Sequence, residues 1–256
     1  MNAHLYDAAG NRVLWLDARG LCGEIDHGQL KMTGFELSQR CQFGQEITAV
    51  LFTSARGHYA LFWNPDGTYE MVCGNAIRCL AHFICDDSAA LNHVPVETPR
   101  GHYLSRKLDA NQGSVVMPDH TIRVAIPNDG GDLLVDAGTP HRIRLVNEEW
   151  PDPDLREARS CSGGANPVNF NLVRKIAPFH HRVRTFERGV GETSSCGTAA
   201  VAIVAALEAL GDALVDLSAR HLIQFASGEQ LFVTGGRSLG SYEITGRVTL
   251  LQDISL

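Results

Sequence analysis

The feature that most constrains this chain is a unit of strand, polar loop, Cys-Gly pair and helix that occurs twice. The first copy runs from the strand His58 to Trp63, through a turn at residues 64–67, to Cys73 and Gly74. The second runs from the strand Arg182 to Phe186 to Cys196 and Gly197. The two cysteines are 123 positions apart (196 minus 73) in a chain of 256 residues. This spacing predicts two similar lobes that face each other across a cleft.

Each Cys-Gly pair opens a predicted helix. After the first pair, Ile77, Leu80, Ala81 and Ile84 recur at the i, i+3, i+4, i+7 spacing of one helix face. After the second, residues 199–210 are apolar on all sides until Glu208. A helix without a polar face is buried, so we expect strands to wrap around it. Gly211 is the predicted C-terminal stop of this helix.

Short strand patterns occupy much of the remaining chain. They include residues 12–17, 47–53 and several runs between residues 95 and 145, separated by Pro, Gly, Asn and Asp. The polar stretch Asn147 to Gly164 is predicted as a loop with a short helical turn. We place the junction of the lobes at Met117 to Asp119, which gives residues 1–117, carrying Cys73, and residues 118–256, carrying Cys196. In this predicted division, the last strand of the chain can return to the first lobe.

Charge and hydropathy exclude several classes of function. The formal net charge is −7 and no run of Lys or Arg forms a stripe, so nucleic acid is not an expected partner. The N-terminus lacks the order of a signal peptide, and the longest apolar stretch is too short to span a bilayer. We therefore expect a cytoplasmic protein with no membrane partner.

The cysteines argue against a disulfide scaffold. Seven of them, an odd number, are scattered through a long chain, so reduced thiols are expected. Cys79, His82 and Cys85 recur every three residues on the first helix, but no second pair of ligands completes a tetrahedral zinc site. The three lysines lie in polar surroundings, which disfavours a pyridoxal enzyme. We expect no metal and no cofactor.

Two thiols at helix N-termini point to acid–base chemistry. Unpaired N–H groups and the helix dipole favour a thiolate there, and the same N–H groups bind an anion that glycine allows to approach closely. A carboxylate held between two such termini would place a thiol on each side of its α-carbon. One thiolate would remove the α-proton and the opposing thiol would return one to the other face, which inverts the stereocentre.

Both loops resemble the signature loops of the diaminopimelate epimerase family, whose members are pyridoxal-independent epimerases with two cysteines. The matching segments are CGNAIRC (residues 73–79) and ERGVGETSSCGT (residues 187–198). Shorter similarities run nearly the length of the chain. They lie at Gly10-Asn11, FWNPDGT (residues 62–68), GTPH (residues 138–141), NFNLV (residues 169–173), SGEQLFVTG (residues 227–235) and ITGRV (residues 244–248).

The resemblance implies an α+β fold of two pseudo-symmetric lobes, each a β-barrel-like sheet wrapped around a central helix. It implies that Cys73 and Cys196 are the acid–base pair and that the partner is a small amino-acid substrate, with a homodimer left open. The residues implied to hold the reacting carboxylate are Gly74, Asn75, Gly197 and Thr198. Those implied to bind the amino group and other polar ends are Glu187, Arg188, Asn11, Asn64 and Asn169.

The chain departs from the family pattern where the far end of the substrate is expected to bind. Arg12 and Val13 replace an Asp-Phe pair, the segment that includes Thr48 and Ala49 lacks a Gly-x-Gly-x-Asp run, and Thr139 replaces an asparagine. Losing polar contacts to the far end could redirect specificity. Asn64, Asn169 and Arg188 argue the other way, because they keep this region polar and able to meet a second carboxylate.

Four functions therefore stay open. The first is epimerisation of LL-diaminopimelate to the meso form, for lysine and cell-wall precursors. The second is racemisation of another amino acid, such as histidine, by the same mechanism. The third is amino-acid binding without catalysis, and the fourth is a thiol hydrolase that pairs a cysteine with a histidine. No sequence context places a histidine beside either cysteine.

If both thiols flank one carbon, they are close enough to oxidise to a Cys73–Cys196 disulfide when substrate is absent. We expect such oxidation to abolish activity and thiol reductants to restore it.

Overall fold

The structure is a computed structural model that describes residues 2–20, 27–85, 93–126, 131–163, 168–211, 219–236 and 239–256. The described residues form the helices α1 (His27–Arg40), α2 (Gly74–Ile84), α3 (Asp152–Gly163) and α4 (Gly197–Ala209). They form the strands β1 (Asn2–Ala8), β2 (Asn11–Asp17), β3 (Ile47–Ser54), β4 (Gly57–Trp63), β5 (Tyr69–Glu70), β6 (His93–Thr98), β7 (Gly101–Lys107), β8 (Gln112–Pro118), β9 (Arg123–Ala125), β10 (Leu133–Asp136), β11 (Pro140–Leu145), β12 (Asn169–Ala177), β13 (His180–Glu187), β14 (Gly191–Glu192), β15 (His221–Phe225), β16 (Gln230–Gly236), β17 (Ser241–Arg247) and β18 (Thr249–Ser255).

The chain divides into two compact units with the same order of elements. The first unit comprises residues 1–116 and 245–256, and the second comprises residues 117–244. In the first, β1–β2 and β3–β4 are antiparallel pairs, whereas β2–β3 and β4–β6 are parallel. In the second, β10–β11 and β12–β13 are antiparallel, whereas β11–β12 and β13–β15 are parallel. The predicted α+β class with two similar lobes is confirmed.

A buried helix lies at the centre of each unit, as its apolar sequence predicts. Residues 74–81 of α2 are buried against β1, β2, β6 and β7, and the indole N–H of Trp15 donates to the carbonyl of Ala76 at 3.0 Å. Residues 197–207 of α4 are all buried against strands that include β10, β11 and β16. The helix α4 ends at Ala209, and Gly211, the predicted C-terminal stop, follows two residues later with a φ of 66°. No helix in the described ranges is long and apolar enough to cross a bilayer.

The helix α1 closes one side of the first unit against β3 and β4. Its Gly34 lies directly on the buried indole of Trp63, so closely that a Cβ atom there would come within 2.1 Å of a ring carbon. Trp63 in turn packs into a cluster that includes Phe52, Leu61 and Leu30. Glycine at position 34 is therefore a packing requirement of the α1 contact.

The prediction of a loop with only a short helical turn at residues 147–164 is wrong, because α3 is a helix of 12 residues. Asp152 and Asp154 occupy its first turn, where the helix dipole favours negative charge. Ala158 is buried, and Leu155 packs against the same cluster of Val146 and Phe170. The apolar face of α3 is only a few residues wide, so the charged residues around it conceal the helical pattern.

Ion pairs connect α3 to β11. The guanidinium of Arg144 lies 2.7 Å from both Asp132 and Asp154 and 2.6 Å from Glu157, while Arg142 also pairs with Asp132. Burial raises the pKa of the Asp132 carboxyl, but its hydrogen bonds to the two arginines and their charges outweigh that effect and hold the pKa below its usual value. We call Asp132, Arg142, Arg144, Asp154 and Glu157 the α3 ion cluster.

Candidate active site

Cys73 is the N-cap residue of α2. Its backbone is extended, with φ −134° and ψ 106°, and its side chain makes no capping hydrogen bond. Its carbonyl accepts the first helical bond, from the N–H of Ile77 at 3.0 Å. The next residues, Gly74 and Asn75, are buried, while Cys73 itself is half-buried. The thiol therefore lies beside the N–H groups at the start of a buried helix, where a thiolate is stabilised.

Cys196 occupies the equivalent position at the start of α4. Its φ of −139° and ψ of 118° nearly repeat those of Cys73, and its side chain also makes no capping hydrogen bond to the backbone. Cys196 is buried, as are Gly197 and Thr198. A two-residue strand precedes each cysteine, β5 paired with β4 and β14 paired with β13. The same local fold thus presents both thiols at helix N-termini.

Arg78 fixes the side chain of Asn75, the residue that follows the Cys73-Gly74 pair. Its guanidinium is fully buried and donates to the side-chain oxygen of Asn75 at 3.0 Å. The S–H of Cys79 donates to the backbone carbonyl of Asn75 at 3.3 Å, and burial raises the pKa of Cys79 to about 12. Cys79 is therefore a protonated, packed thiol. The described residues contain no group of three or more His, Cys, Asp or Glu side chains that could hold a metal ion.

A hydrogen-bonded group of side chains lies behind Cys196. The Thr198 hydroxyl is 3.3 Å from the Cys196 sulfur, 3.0 Å from Nε2 of His141 and 3.2 Å from the Thr139 hydroxyl. Asn169 donates from Nδ2 to the Thr139 hydroxyl at 3.2 Å. We call Cys196, Thr198, Thr139, His141 and Asn169 the Thr198 network. It joins the start of α4 to β11 and β12, which run parallel with His141 opposite Asn169.

His141 is neutral in this network. Its imidazole is buried, and burial lowers its pKa to about 3, against a smaller opposing effect from the charge of Asp136. The amide nitrogen of Asn171 lies 3.2 Å from Nδ1 of the ring. No sequence pattern places a histidine beside either cysteine, yet His141 is two hydrogen bonds from Cys196 in the structure. The only sequence signal of His141 is its place in the GTPH run (residues 138–141).

The residues predicted to bind polar substrate ends in the second unit make hydrogen bonds within that unit. The backbone N–H of Arg188 donates to the Asn169 side-chain oxygen at 2.8 Å, while the Arg188 side chain is exposed. Glu187, at the end of β13, accepts a hydrogen bond of 2.5 Å from the hydroxyl of Thr193. Both amide atoms of Asn169 are therefore engaged within the protein.

Asn64 and Asn11 are the two asparagines of the first unit that are predicted to bind substrate. Their side chains differ in whether other residues already occupy them. Asn64 donates from its amide to the Thr68 hydroxyl at 2.9 Å and to Glu70 at 3.1 Å, so it closes its own turn. Asn11, the first residue of β2, has a buried side-chain oxygen with no hydrogen-bond partner among the described residues. A buried acceptor of this kind is suited to a ligand N–H.

The altered positions of the first unit lie on the paired strands β2 and β3. The N–H of Glu46 donates to the Arg12 carbonyl at 2.8 Å, and the N–H of Arg12 donates to the Glu46 carboxylate at 3.0 Å. Thr48 is buried, with its hydroxyl accepting from Gln45, and Ala49 is buried in β3. Thr48 and Ala49 are therefore structural positions of the strand.

Comparison with known proteins places the chain in a family. No protein-family model matches it. The diaminopimelate epimerase of Alkalilimnicola ehrlichii is 31% identical over 219 residues, which cover 73% of this chain and 78% of that protein. The chain belongs to the diaminopimelate epimerase family. The diaminopimelate epimerase of Hydrogenobaculum sp. is 28% identical over 253 residues, covering 90% of this chain and 89% of that protein. As a member of the diaminopimelate epimerase family, the protein is an isomerase, an amino-acid epimerase or racemase.

A solved structure supports the fold of this diaminopimelate epimerase family member. The probable proline racemase of Agrobacterium radiobacter superposes with a TM-score of 0.71 at 14% identity, covering 100% of this chain and 92% of that chain. At this identity the similarity concerns the fold alone.

Proposed function

We propose that this protein inverts the α-carbon of a free amino acid by proton transfer between the thiols of Cys73 and Cys196, and that its leading substrate is LL-diaminopimelate, which it converts to the meso form. The observation that carries the proposal is the matched geometry of the two cysteines. Each is an extended N-cap residue followed by a buried glycine at the start of a buried helix. One thiol would act as base and the other as acid, and their roles exchange in the reverse direction.

The helix starts supply the electrostatic support that the reaction needs. Removing an α-proton places extra negative charge on the substrate carboxylate. The N–H groups that follow Gly74 and Gly197 are fixed by the fold before substrate binds, so they stabilise this charge without reorganisation. This chemistry uses thiols and backbone N–H groups only and requires no cofactor.

Two observations support diaminopimelate as the substrate. The relatives that share 28–31% identity across much of the chain carry that name. In addition, Arg188 is exposed and its guanidinium is suited to a second carboxylate, and the buried oxygen of Asn11, which has no partner among the described residues, is suited to an ammonium group. The two charged ends of diaminopimelate require contacts of this kind.

A second candidate is the same inversion on another amino acid, such as histidine. Thr139 stands where the family has an asparagine, and its hydroxyl is used within the Thr198 network. Both amide atoms of Asn169 are used as well. Fewer free polar groups then remain for a charged far end, and a site without those groups discriminates less against a neutral side chain.

Exchange of the α-proton in D₂O tests the proposal. Proton NMR would follow the α-signal of LL-diaminopimelate and a panel of free amino acids, with reductant present, for the wild type and for Cys73→Ser and Cys196→Ser. Cys161→Ser, which changes a thiol on α3, is the matched control. We expect the signal of one amino acid to disappear with the wild type and the control, and exchange to be abolished or much slowed in both other variants. No exchange with any amino acid would contradict the proposal and favour a binding protein. Exchange that survives in both cysteine variants would exclude the thiols.

A further inference from the structure

Donor and acceptor counting fixes the direction of the hydrogen bonds in the Thr198 network. The amide nitrogen of Asn171 lies 3.3 Å from the carbonyl of Arg142 and 3.5 Å from that of Asn169. Two carbonyl neighbours require an NH₂ group there, and an amide NH₂ donates but does not accept, so Nδ1 of His141 carries no proton. Because the pKa of His141 is lowered to about 3, the ring is neutral and carries its single proton on Nε2.

The N–H at Nε2 of His141 is shared between two hydroxyl oxygens, those of Thr139 and Thr198, each at 3.0 Å. The Thr139 oxygen also accepts from Asn169 at 3.2 Å, so both of its lone pairs are occupied. Its own proton then donates to Thr198, also at 3.2 Å.

Both lone pairs of the Thr198 hydroxyl oxygen are occupied in the same way. It accepts from His141 and from Thr139, so it has no lone pair left for the S–H of Cys196. The Thr198 proton is therefore directed at the Cys196 sulfur, 3.3 Å away. A donor aimed at sulfur stabilises the thiolate relative to the thiol.

We propose that Thr139 is a positioning residue that fixes this direction and so holds Cys196 ready to act as the base. Without the proton of Thr139, one lone pair of Thr198 is free and can accept the S–H of Cys196, which favours the thiol. Thr139 has this effect through Thr198, to which it is hydrogen-bonded. The inference rests on the proposed function only in giving Cys196 an acid–base role.

Alkylation of Cys196 tests the proposal without turnover, so it can fail while the proposed function survives. In a Cys73→Ser background, the rate of iodoacetamide addition to Cys196 would be followed by peptide mass mapping from pH 5 to pH 10. Thr139→Val removes the hydroxyl and Thr139→Ser keeps it. Thr185→Val is the matched control, since the buried Thr185 hydroxyl has no hydrogen-bond partner among the described residues.

We expect Thr139→Val to move the midpoint of the rate profile upward, with alkylation about three- to tenfold slower at a pH below the midpoint. Thr139→Ser and Thr185→Val should keep the original midpoint. An unshifted profile for Thr139→Val, or an equal shift for Thr139→Ser, would overturn the proposal.

A second measurement needs no substitution at Thr139. The ¹⁵N chemical shifts of the His141 ring in the labelled protein at pH 7 report which nitrogen carries the proton. A protonated Nε2 is expected. A protonated Nδ1 would make Nε2 an acceptor, reverse the direction of the network and overturn the proposal.

Discussion

His141 Nε2 lies 3.0 Å from the hydroxyl of Thr198, although 57 residues separate the two in the chain. The contact joins β11 to the first turn of α4, two residues after Cys196. It exists because β11 packs against the start of the central helix of its unit. The side chains behind the thiol are thus placed by the core of the second unit, so changes in that core and changes in the site are linked.

Burial of His141 makes stability depend on pH. Its folded pKa of about 3 is below its ordinary value of 6.5, so between these values the unfolded chain binds more protons than the folded one. Stability is therefore fully present above pH 6.5 and decreases as the pH falls towards 3. At pH 5 we expect this histidine alone to cost about 2 kcal/mol relative to neutral pH.

Urea unfolding of the wild type and of His141→Gln at pH 7.5 and pH 5 measures this contribution. Other groups also titrate, so the relevant quantity is the difference between the two proteins. The wild type should lose more stability than His141→Gln on acidification. Equal losses would show that His141 is protonated in the folded protein or accessible to water.

Oxidation should connect the two candidate thiols. With hydrogen peroxide and no substrate, Cys73 and Cys196 are expected to form a disulfide while the peroxide is reduced to two waters. Activity would be lost and then restored by dithiothreitol, and the linked peptides would be found by mass spectrometry. Bound substrate should protect the thiols. Inactivation with both thiols still free would argue against two thiols flanking one carbon.

Gly34→Ala should destabilise the first unit. The added Cβ atom would meet the buried ring of Trp63 at 2.1 Å, and overpacking of this kind costs about 1–3 kcal/mol. Gly20→Ala is the matched control, because nothing lies within 4 Å of its added atom. Urea unfolding at neutral pH compares the two variants. A cost for Gly34→Ala no larger than that for Gly20→Ala would show that α1 does not pack against β4 as described.

Arg144→Met should loosen α3. The substitution leaves Asp132 with one of its two arginines and removes the partner of Asp154, and we expect a loss of about 1–3 kcal/mol. Arg19→Met removes the single, more exposed pair with Asp17 and should cost less than about 1 kcal/mol. Amide hydrogen exchange should become faster in residues 152–163 of Arg144→Met alone. Unchanged protection there would mean that apolar packing, rather than the α3 ion cluster, holds the helix.

Sequence patterns predicted the elements whose burial is nearly complete. The helix α4 is apolar on all sides and α2 has one clear apolar face, so both were evident, as was the Cys-Gly pair that opens each. The helix α3 was missed because only a few apolar residues, such as Leu155 and Ala158, anchor it among charged ones. His141 was missed because its contact with Thr198 depends on how β11 packs on α4, which local spacing does not encode.

The positions that depart from the family pattern have different roles in the structure. Thr48 and Ala49 are buried in β3, whereas Thr139 lies in the Thr198 network next to Cys196. The side on which a residue faces decides whether a change affects packing or the site.

The early-time deuterium content of both epimers in D₂O tests the two-thiol account most directly. With LL-diaminopimelate, mass spectrometry after chiral separation would compare the first meso product with the remaining LL substrate. If one thiol removes the proton and the other delivers one, the product should carry deuterium from its first appearance while the remaining substrate stays protiated. Deuterium entering the remaining substrate as fast as the product would indicate a single base and contradict the account.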